Sequence, residues 1–587
     1  VNEHISPRTV DTSTSAPTVA EWFLRSLIAH GCEAIFLNPG TDTPPLQEAW
    51  ARLKAEGWPV PELVLCPHEI IAVTAAQGYY LASGKPQVAF VHVDVGTANA
   101  SGGLNDARAS QIPMILCAGM SPVTTDSTIP GARMKFINWL QDVPDQLALV
   151  RNYVKWSQVV SHPASVCTAV DRAFQMARSE PMGPVYMAFP RETMMEQIEA
   201  PLALGPDRSR PVKLPALDEA TASALVDKLL AAENPLIITG YGGRSRAHRD
   251  AIVALTETLS VPVTEYRGRF NAPLDHPMHL GFNPERWVGD ADLILVIDQD
   301  VAFVPADRKL RDDVAIVHMG PDPIQQNLTI WGFPADQTIA CNTLAGLSSL
   351  VAAARSRAAG LKPEETAKLD ARRSKALADH GAALADYPKT EDPARTNRIT
   401  PFMVGEVMTE TCPEAQVFEE AVTSGNPFAY GFRPNEDGAY NRNGGSFLGW
   451  GLGASLGAKL ADREKLIATV VGDGSFIFGV PTAALWASRQ HKLPLLIVVL
   501  NNACYNSVRL ATRDSYPQGV QATDGYVGVD LTDPPAFEAL AESCGAWGER
   551  VEAPADLRPK LREALDVVRA GRTAVLNIVI EAAEKPL

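Results

Sequence analysis

Asp473 stands between two glycines in Gly472-Asp473-Gly474-Ser475, and downstream comes Asn501-Asn502-Ala503-Cys504-Tyr505-Asn506. A carboxylate and an amide oxygen are the hard donors that Mg²⁺ takes, commonly one or two protein groups with phosphate oxygens completing the shell. The backbone carbonyl of Cys504 falls in the same turn. Gly472 and Gly474 let the main chain approach a phosphate, and Ser475 can donate to one. The residues suit a magnesium–diphosphate site, with Asp473, Asn502 and Cys504 on the metal. Taken singly, each run is also an ordinary turn former. Their pairing, each closing an apolar run with one helix between, favours the site.

Those runs are Leu466–Val471 and Leu495–Leu500, continuous β-formers of the kind buried on both faces of a parallel sheet. Pro481–His491 between them has the composition of a crossover helix. Both turns then lie at the carboxyl ends of parallel strands, where open α/β sheets place their ligands.

Three further stretches carry chemical groups. In Cys66-Pro67-His68-Glu69-Ile70 the glutamate falls in the first turn of a helix, where a carboxylate already gains from the macrodipole. His92-Val93-Asp94-Val95-Gly96-Thr97-Ala98-Asn99 joins a strand to a helix, and an imidazole there can exchange a proton near neutral pH. Gly444-Gly445-Ser446-Phe447-Leu448-Gly449-Trp450-Gly451-Leu452-Gly453 reads as a glycine-rich helix start with close packing.

Gly472-Asp473-Gly474-Ser475 followed by Asn501-Asn502 is similar to the diphosphate motif of thiamine-diphosphate enzymes. From roughly Thr18 to Ile580 the chain resembles the superfamily of acetolactate synthase, pyruvate decarboxylase and benzoylformate decarboxylase. The resemblance implies thiamine diphosphate and Mg²⁺ as cofactors. It puts Glu69 on the aminopyrimidine ring and Leu448 under the cofactor as an apolar wedge. The Ser446 carbonyl would accept from the exocyclic amine. Gly40, Thr41, Asn99, Thr423, Ser424, Gly472, Gly474, Ser475, Asn502 and Tyr505 would line the cofactor. Asn38-Pro39-Gly40-Thr41 and the His92 stretch resemble benzoylformate decarboxylase in particular, which implies that Thr41 and His92 face the substrate. The implied assembly is a homodimer or homotetramer with active sites between subunits.

No subgroup pattern holds throughout. Ile297-Asp298-Gln299-Asp300-Val301 lacks a second histidine, Val508 stands where pyruvate decarboxylases carry a glutamate, and the flavin-contacting stretch of acetolactate synthases is missing. The implied activity is cleavage or formation of a carbon–carbon bond beside the carbonyl of a 2-oxo acid. Acetolactate-synthase-like carboligation without flavin and a non-catalytic cofactor-binding paralogue are the alternatives. Gly240-Tyr241-Gly242-Gly243-Arg244 lacks a full dinucleotide fingerprint.

A chain of 587 residues exceeds one core. Alternating βα patterns predict three doubly wound parallel-sheet domains, over 18–200, 216–352 and 399–587, and the resemblance implies that these are the pyrimidine-binding, central and diphosphate-binding domains. A polar tail over 1–17 precedes them, and a helical linker over 353–398 includes a charged surface helix at Ala353–Tyr387. The net charge of −16 argues against nucleic acid or an anionic membrane as partner. Eight scattered cysteines read as buried thiols in a reducing cytoplasm. No run approaches the length of a membrane span.

Overall fold

The computed structural model describes residues 16–266, 269–304, 309–385, 397–434, 440–521 and 525–581. They build three parallel sheets. The first holds β1 (Ala34–Leu37), β2 (Glu62–Leu65), β3 (Val88–Val91), β4 (Ile115–Met120), β5 (Ser157–Val159) and β6 (Val185–Pro190), in the order β2-β1-β3-β4-β6-β5. The second holds β7 (Pro235–Thr239), β8 (Val263–Glu265), β9 (Leu293–Ile297), β10 (Ala315–Gly320) and β11 (Gln337–Ala340), in the order β11-β10-β9-β7-β8. The third holds β12 (Gln416–Glu420), β13 (Tyr440–Arg442), β14 (Ile467–Gly472), β15 (Leu496–Asn501), β16 (Trp547–Val551) and β17 (Ala574–Val579), in the order β13-β12-β14-β15-β17-β16.

The first and third sheets share one topology, and the second repeats its first four strands. Every sheet reverses its winding between its first and third strands in chain order. Such switch points open a crevice at the carboxyl ends of the strands. β1, β3, β9 and β15 are buried along their whole length, as their apolar sequences require.

The first and third domains share a core. Ile71, Ala75, Leu104 and Leu116 belong to one buried cluster with Trp450, Leu456 and Phe476. At its centre the helix Glu69–Ser83 lies against the helix Trp450–Ala461 with backbones nearly touching. A Cβ at Gly78 would stand 1.8 Å from the Ala454 carbonyl oxygen, and one at Gly457 1.8 Å from that of Ala75. Glycine is required at both positions. A Cβ at Gly453 would stand 1.9 Å from the Thr74 hydroxyl oxygen, so the close-packing reading of the glycine-rich run holds for its helical end.

Two elements depart from the sequence pattern. The helix expected from Ser101 begins at Val93 and runs to Ala109. Gly96, Gly102 and Gly103 lower its intrinsic propensity, but the buried face Thr97, Ala100, Leu104 and Ala107 carries it. The single surface helix expected over Ala353–Tyr387 is two helices, Thr343–Ala358 and Pro363–Ala385. The break falls where Gly360 and Pro363 interrupt the ladder, and Leu347, Leu350 and Ala354 are buried in the central core. Most of the expected tail and most of Pro388–Arg398 lie outside the described residues.

Candidate active site

The crevice of the third sheet is a cavity of about 360 Å³. Its floor is made by three strand ends: Glu420–Ser424 at the end of β12, Gly472–Ser475 at the end of β14, and Asn502–Val508 after β15. Backbone pairing of Gly472 with Leu500 sets the last two side by side. Thus Asp473, Gly474, Ser475, Asn502, Cys504 and Tyr505 share one wall, with Thr423, Ser424, Ser446 and Leu448 around it.

The donor set fits a divalent cation. Asp473 is 3% exposed. Its Oδ1 accepts from the Gly474 amide at 2.8 Å, while its Oδ2 is buried and accepts no hydrogen bond among the described residues. Burial pushes this carboxyl up, while amides from Gly474, Ala503, Cys504 and Asn502 pull it down. A buried carboxylate oxygen left bare is costly unless a cation meets it. The Asn502 Oδ1 accepts from the Cys504 amide at 3.0 Å, which folds the turn around Asp473. Gly472 and Gly474 fit a diphosphate differently. A Cβ at Gly472 would enter open space, whereas one at Gly474 would press on the Tyr505 ring at 2.7 Å.

The backbone is strained at this wall. Val422 has φ 43° and Ala503 φ 53°, conformations that side-chain-bearing residues adopt sparingly and that cluster at functional sites.

The loop carrying Ser446 and Leu448 is gripped through its amides. Gly445 donates to Asn443 Oδ1 at 2.9 Å, and Phe447 donates to Asp106 Oδ1, of the first domain, at 3.2 Å. Gly449 and Gly451 donate to the two oxygens of Glu420 at 2.7 and 2.8 Å. Gly449 has φ 92°, which only glycine takes easily. Burial raises the Asp106 carboxyl to about 8, against the Phe447 amide and Asn443. It raises Glu420 well above the carboxylate range. Glu419 is instead paired with Arg442 at 2.8 Å. Glu419 and Glu420 are the last residues of β12.

No residue lining this cavity comes from the first domain. Glu69 begins its helix after His68, whose Nδ1 caps it by accepting from Ile70 at 3.2 Å. The carboxylate of Glu69 accepts from Asn99 Nδ2 at 2.6 Å, and Gly96 leaves room for it. Glu69 is partly exposed and Asn99 exposed.

His92 lies beside the 38–43 loop at the switch point of the first sheet. Gly40 is pressed on its ring, since a Cβ there would stand 1.9 Å from Nδ1. Its Nδ1 is hydrogen-bonded to Asp42, and its Nε2 lies 2.8 Å from Gln141 Nε2. Sequence reasoning missed Asp42, Gln141, Asp106 and Asn443. Asp42 follows Thr41 directly, so the loop itself was visible although its partner was not.

At the central switch point two contacts hold the turn after β7. Arg244 Nη2 meets Asp298 at 2.8 Å, and the Tyr241 hydroxyl donates to the Ala109 carbonyl at 2.6 Å.

Residues 17–149 match the thiamine pyrophosphate enzyme N-terminal TPP binding domain, 222–344 the central domain, and 425–578 the C-terminal TPP binding domain. A benzoylformate decarboxylase of Pseudomonas aeruginosa is 26% identical over 572 residues, covering 94% of this chain and 97% of that one. An acetolactate synthase large subunit of Parasynechococcus marenigrum is 27% identical over 551 residues, covering 90% and 82%. A solved thiamine diphosphate-dependent 4-hydroxybenzoylformate decarboxylase of Rhodococcus jostii shares the fold, with a TM-score of 0.76 at 23% identity over 97% of this chain and 100% of that one.

Proposed function

The chain belongs to the superfamily of thiamine-pyrophosphate-dependent enzymes, and we propose that it is a Mg²⁺-dependent carbon–carbon lyase acting on a 2-oxo acid in the manner of benzoylformate decarboxylase. The observation that carries this reading is His92 packed against Gly40 and hydrogen-bonded to Asp42, in the loop that also carries Thr41, together with the benzoylformate decarboxylase relative. When bound, thiamine diphosphate would supply a carbon nucleophile and an electron sink for decarboxylation.

The protein's part is binding, orientation and proton movement. Asp473 and Asn502, with the Cys504 carbonyl, hold the metal that neutralises the diphosphate. Gly472, Gly474, Ser475, Thr423, Ser424 and Tyr505 surround the diphosphate, and Gly40 and Asn99 contribute from the first domain. Leu448 and the Ser446 carbonyl orient the pyrimidine. Glu69, fixed by Asn99, holds a proton at the pyrimidine ring nitrogen and so drives activation. His92 exchanges a proton with the substrate.

Glu69 and His92 are absent from the wall of their own chain's cavity, which supports a dimer or tetramer in which one subunit's first domain completes its partner's site. The acetolactate synthase relative supports carboligation as the second reading.

Turnover of a panel of 2-oxo acids separates the outcomes, with and without an aldehyde acceptor. CO₂ with one equivalent of aldehyde is expected. Acyloin as the main product without free aldehyde supports carboligation, and no CO₂ from any member removes both readings.

A further inference from the structure

Asp42 takes no part in the family resemblance described above, yet its carboxylate is among the most confined near the site. Its side chain is 4% exposed. One oxygen is hydrogen-bonded to His92 Nδ1. The other, Oδ2, accepts nothing among the described residues and lies against Gly119, where a Cβ would stand 1.9 Å away. Arg191 is close enough to feel its charge. The hydrogen bonds of that guanidinium nevertheless go to the carbonyls of Thr41, Gly131 and Ala132. His92 is therefore the group that meets the Asp42 charge directly.

The imidazole is fixed from every side. Gly40 presses on the ring. Val93, next in the chain, sits at φ 36°, a strained setting for a β-branched residue. The Gln141 side-chain nitrogen stands 2.8 Å from Nε2, and the main-chain carbonyl of Gln141 accepts from the Ser121 hydroxyl.

We propose that Asp42 is the positioning residue of an Asp42–His92 pair, holding the proton on Nδ1 so that Nε2 is the atom that exchanges a proton with the substrate, with Gln141 covering Nε2 until substrate displaces it. This deepens the reading of His92 given above and rests on it. In the forward direction the Nε2 proton passes to the substrate atom that carries the developing negative charge. His92 is left neutral with Nδ1–H still donated to Asp42, and water returns the proton.

The charges facing His92 agree. Burial works against the imidazolium, but Asp42 more than offsets it, with Asp94 adding to its effect, so the ring titrates above its ordinary value. The acid form then persists to higher pH, where an oxo-acid substrate is fully ionised.

The test is the titration of His92 in ¹³C-histidine-labelled holoenzyme, its resonance assigned by loss in His92→Ala. Asp42→Asn keeps the size and should move the midpoint to lower pH, shift the neutral ring away from the Nδ1–H tautomer, and lower kcat by about 10²-fold with little change in KM. Gly119→Ala pushes on Asp42 from behind and should move the midpoint in the same direction without touching His92. An unmoved midpoint and tautomer in both variants, with melting and thiamine diphosphate binding as in the parent, overturns the proposal. Failure of the substrate-facing reading looks different. His92→Ala would then turn over substrate normally, while the Asp42→Asn shift in the titration would still appear.

Discussion

Two switch points of identical topology are furnished in opposite ways. In the third domain the groups are mostly main chain and short turns: Gly472–Gly474, the Asn502 amide closing on Cys504, the strained Val422 and Ala503. They become neighbours because β12, β14 and β15 are paired in register. In the first domain the groups are side chains drawn from four separate loops, Asp42, Glu69, His92 and Gln141. The main chain there supplies only room, at Gly40 and Gly96. On the function proposed above, one half is read as a mould for a charged group and the other as a set of proton carriers, each with its own partner. A change in the mould should act on binding, and a change in the carriers on rate.

That contrast can be broken experimentally, and the largest effect is expected at Glu69. Glu69→Gln should slow deuterium exchange at C2 of bound cofactor by about two to four orders of magnitude, the range of a positioned acid–base group. Diphosphate affinity and Tm should stay near the parent values. Exchange at the parental rate would mean that Glu69 does no more than favour its helix terminus, worth about 0.3–1 kcal/mol.

Asp473→Ala should do the reverse. Affinity for thiamine diphosphate and for Mg²⁺, measured by calorimetry, should fall together by about 5–150-fold, the usual size of a coupling between two ligands. If either ligand binds as before, Asp473 is not the link between them. Mixing this inactive variant with inactive Glu69→Ala sharpens the picture. In a random dimer about a quarter of the sites regain both parental groups, and activity of that order should return. No recovery after verified subunit exchange would place both halves of a site on one chain.

The smallest effect concerns the joint between the halves, where Asp106 grips the loop of Ser446 and Leu448. Its carboxyl is raised from 3.8 to about 8. A raised acid contributes stability at low pH that is lost as pH climbs from about 4 to about 8, because ionisation is then resisted only in the folded state. Asp106→Asn keeps an acceptor for the Phe447 amide without the charge. It should gain a few degrees of Tm over the parent at pH 8.5, at about 2–4 °C per kcal/mol for domains of this size, and little at pH 5. A gain independent of pH would show that Asp106 is neutral throughout this range.

The sequence by itself determined the three sheets, the place of the Gly-Asp-Gly and Asn-Asn turns at strand ends, and the superfamily. Apolar runs closed by Gly-Asp-Gly or Asn-Asn are local signals, and a parallel sheet converts strand ends into neighbours without further information. The start of the helix at Val93 was misplaced because its glycines speak against a helix locally, whereas burial of Thr97, Ala100, Leu104 and Ala107 decides for it. Asp42 with His92 and Gln141, Asp106 with Phe447, and Glu420 with Gly449 and Gly451 were decided by tertiary structure alone. Each joins side chains or amides far apart in the chain, with no period or spacing to announce them. A buried carboxylate finds its partner through the packing that excludes water, and that packing exists only in the folded domain or, for Asp106 with Phe447, only once two domains have closed on one another.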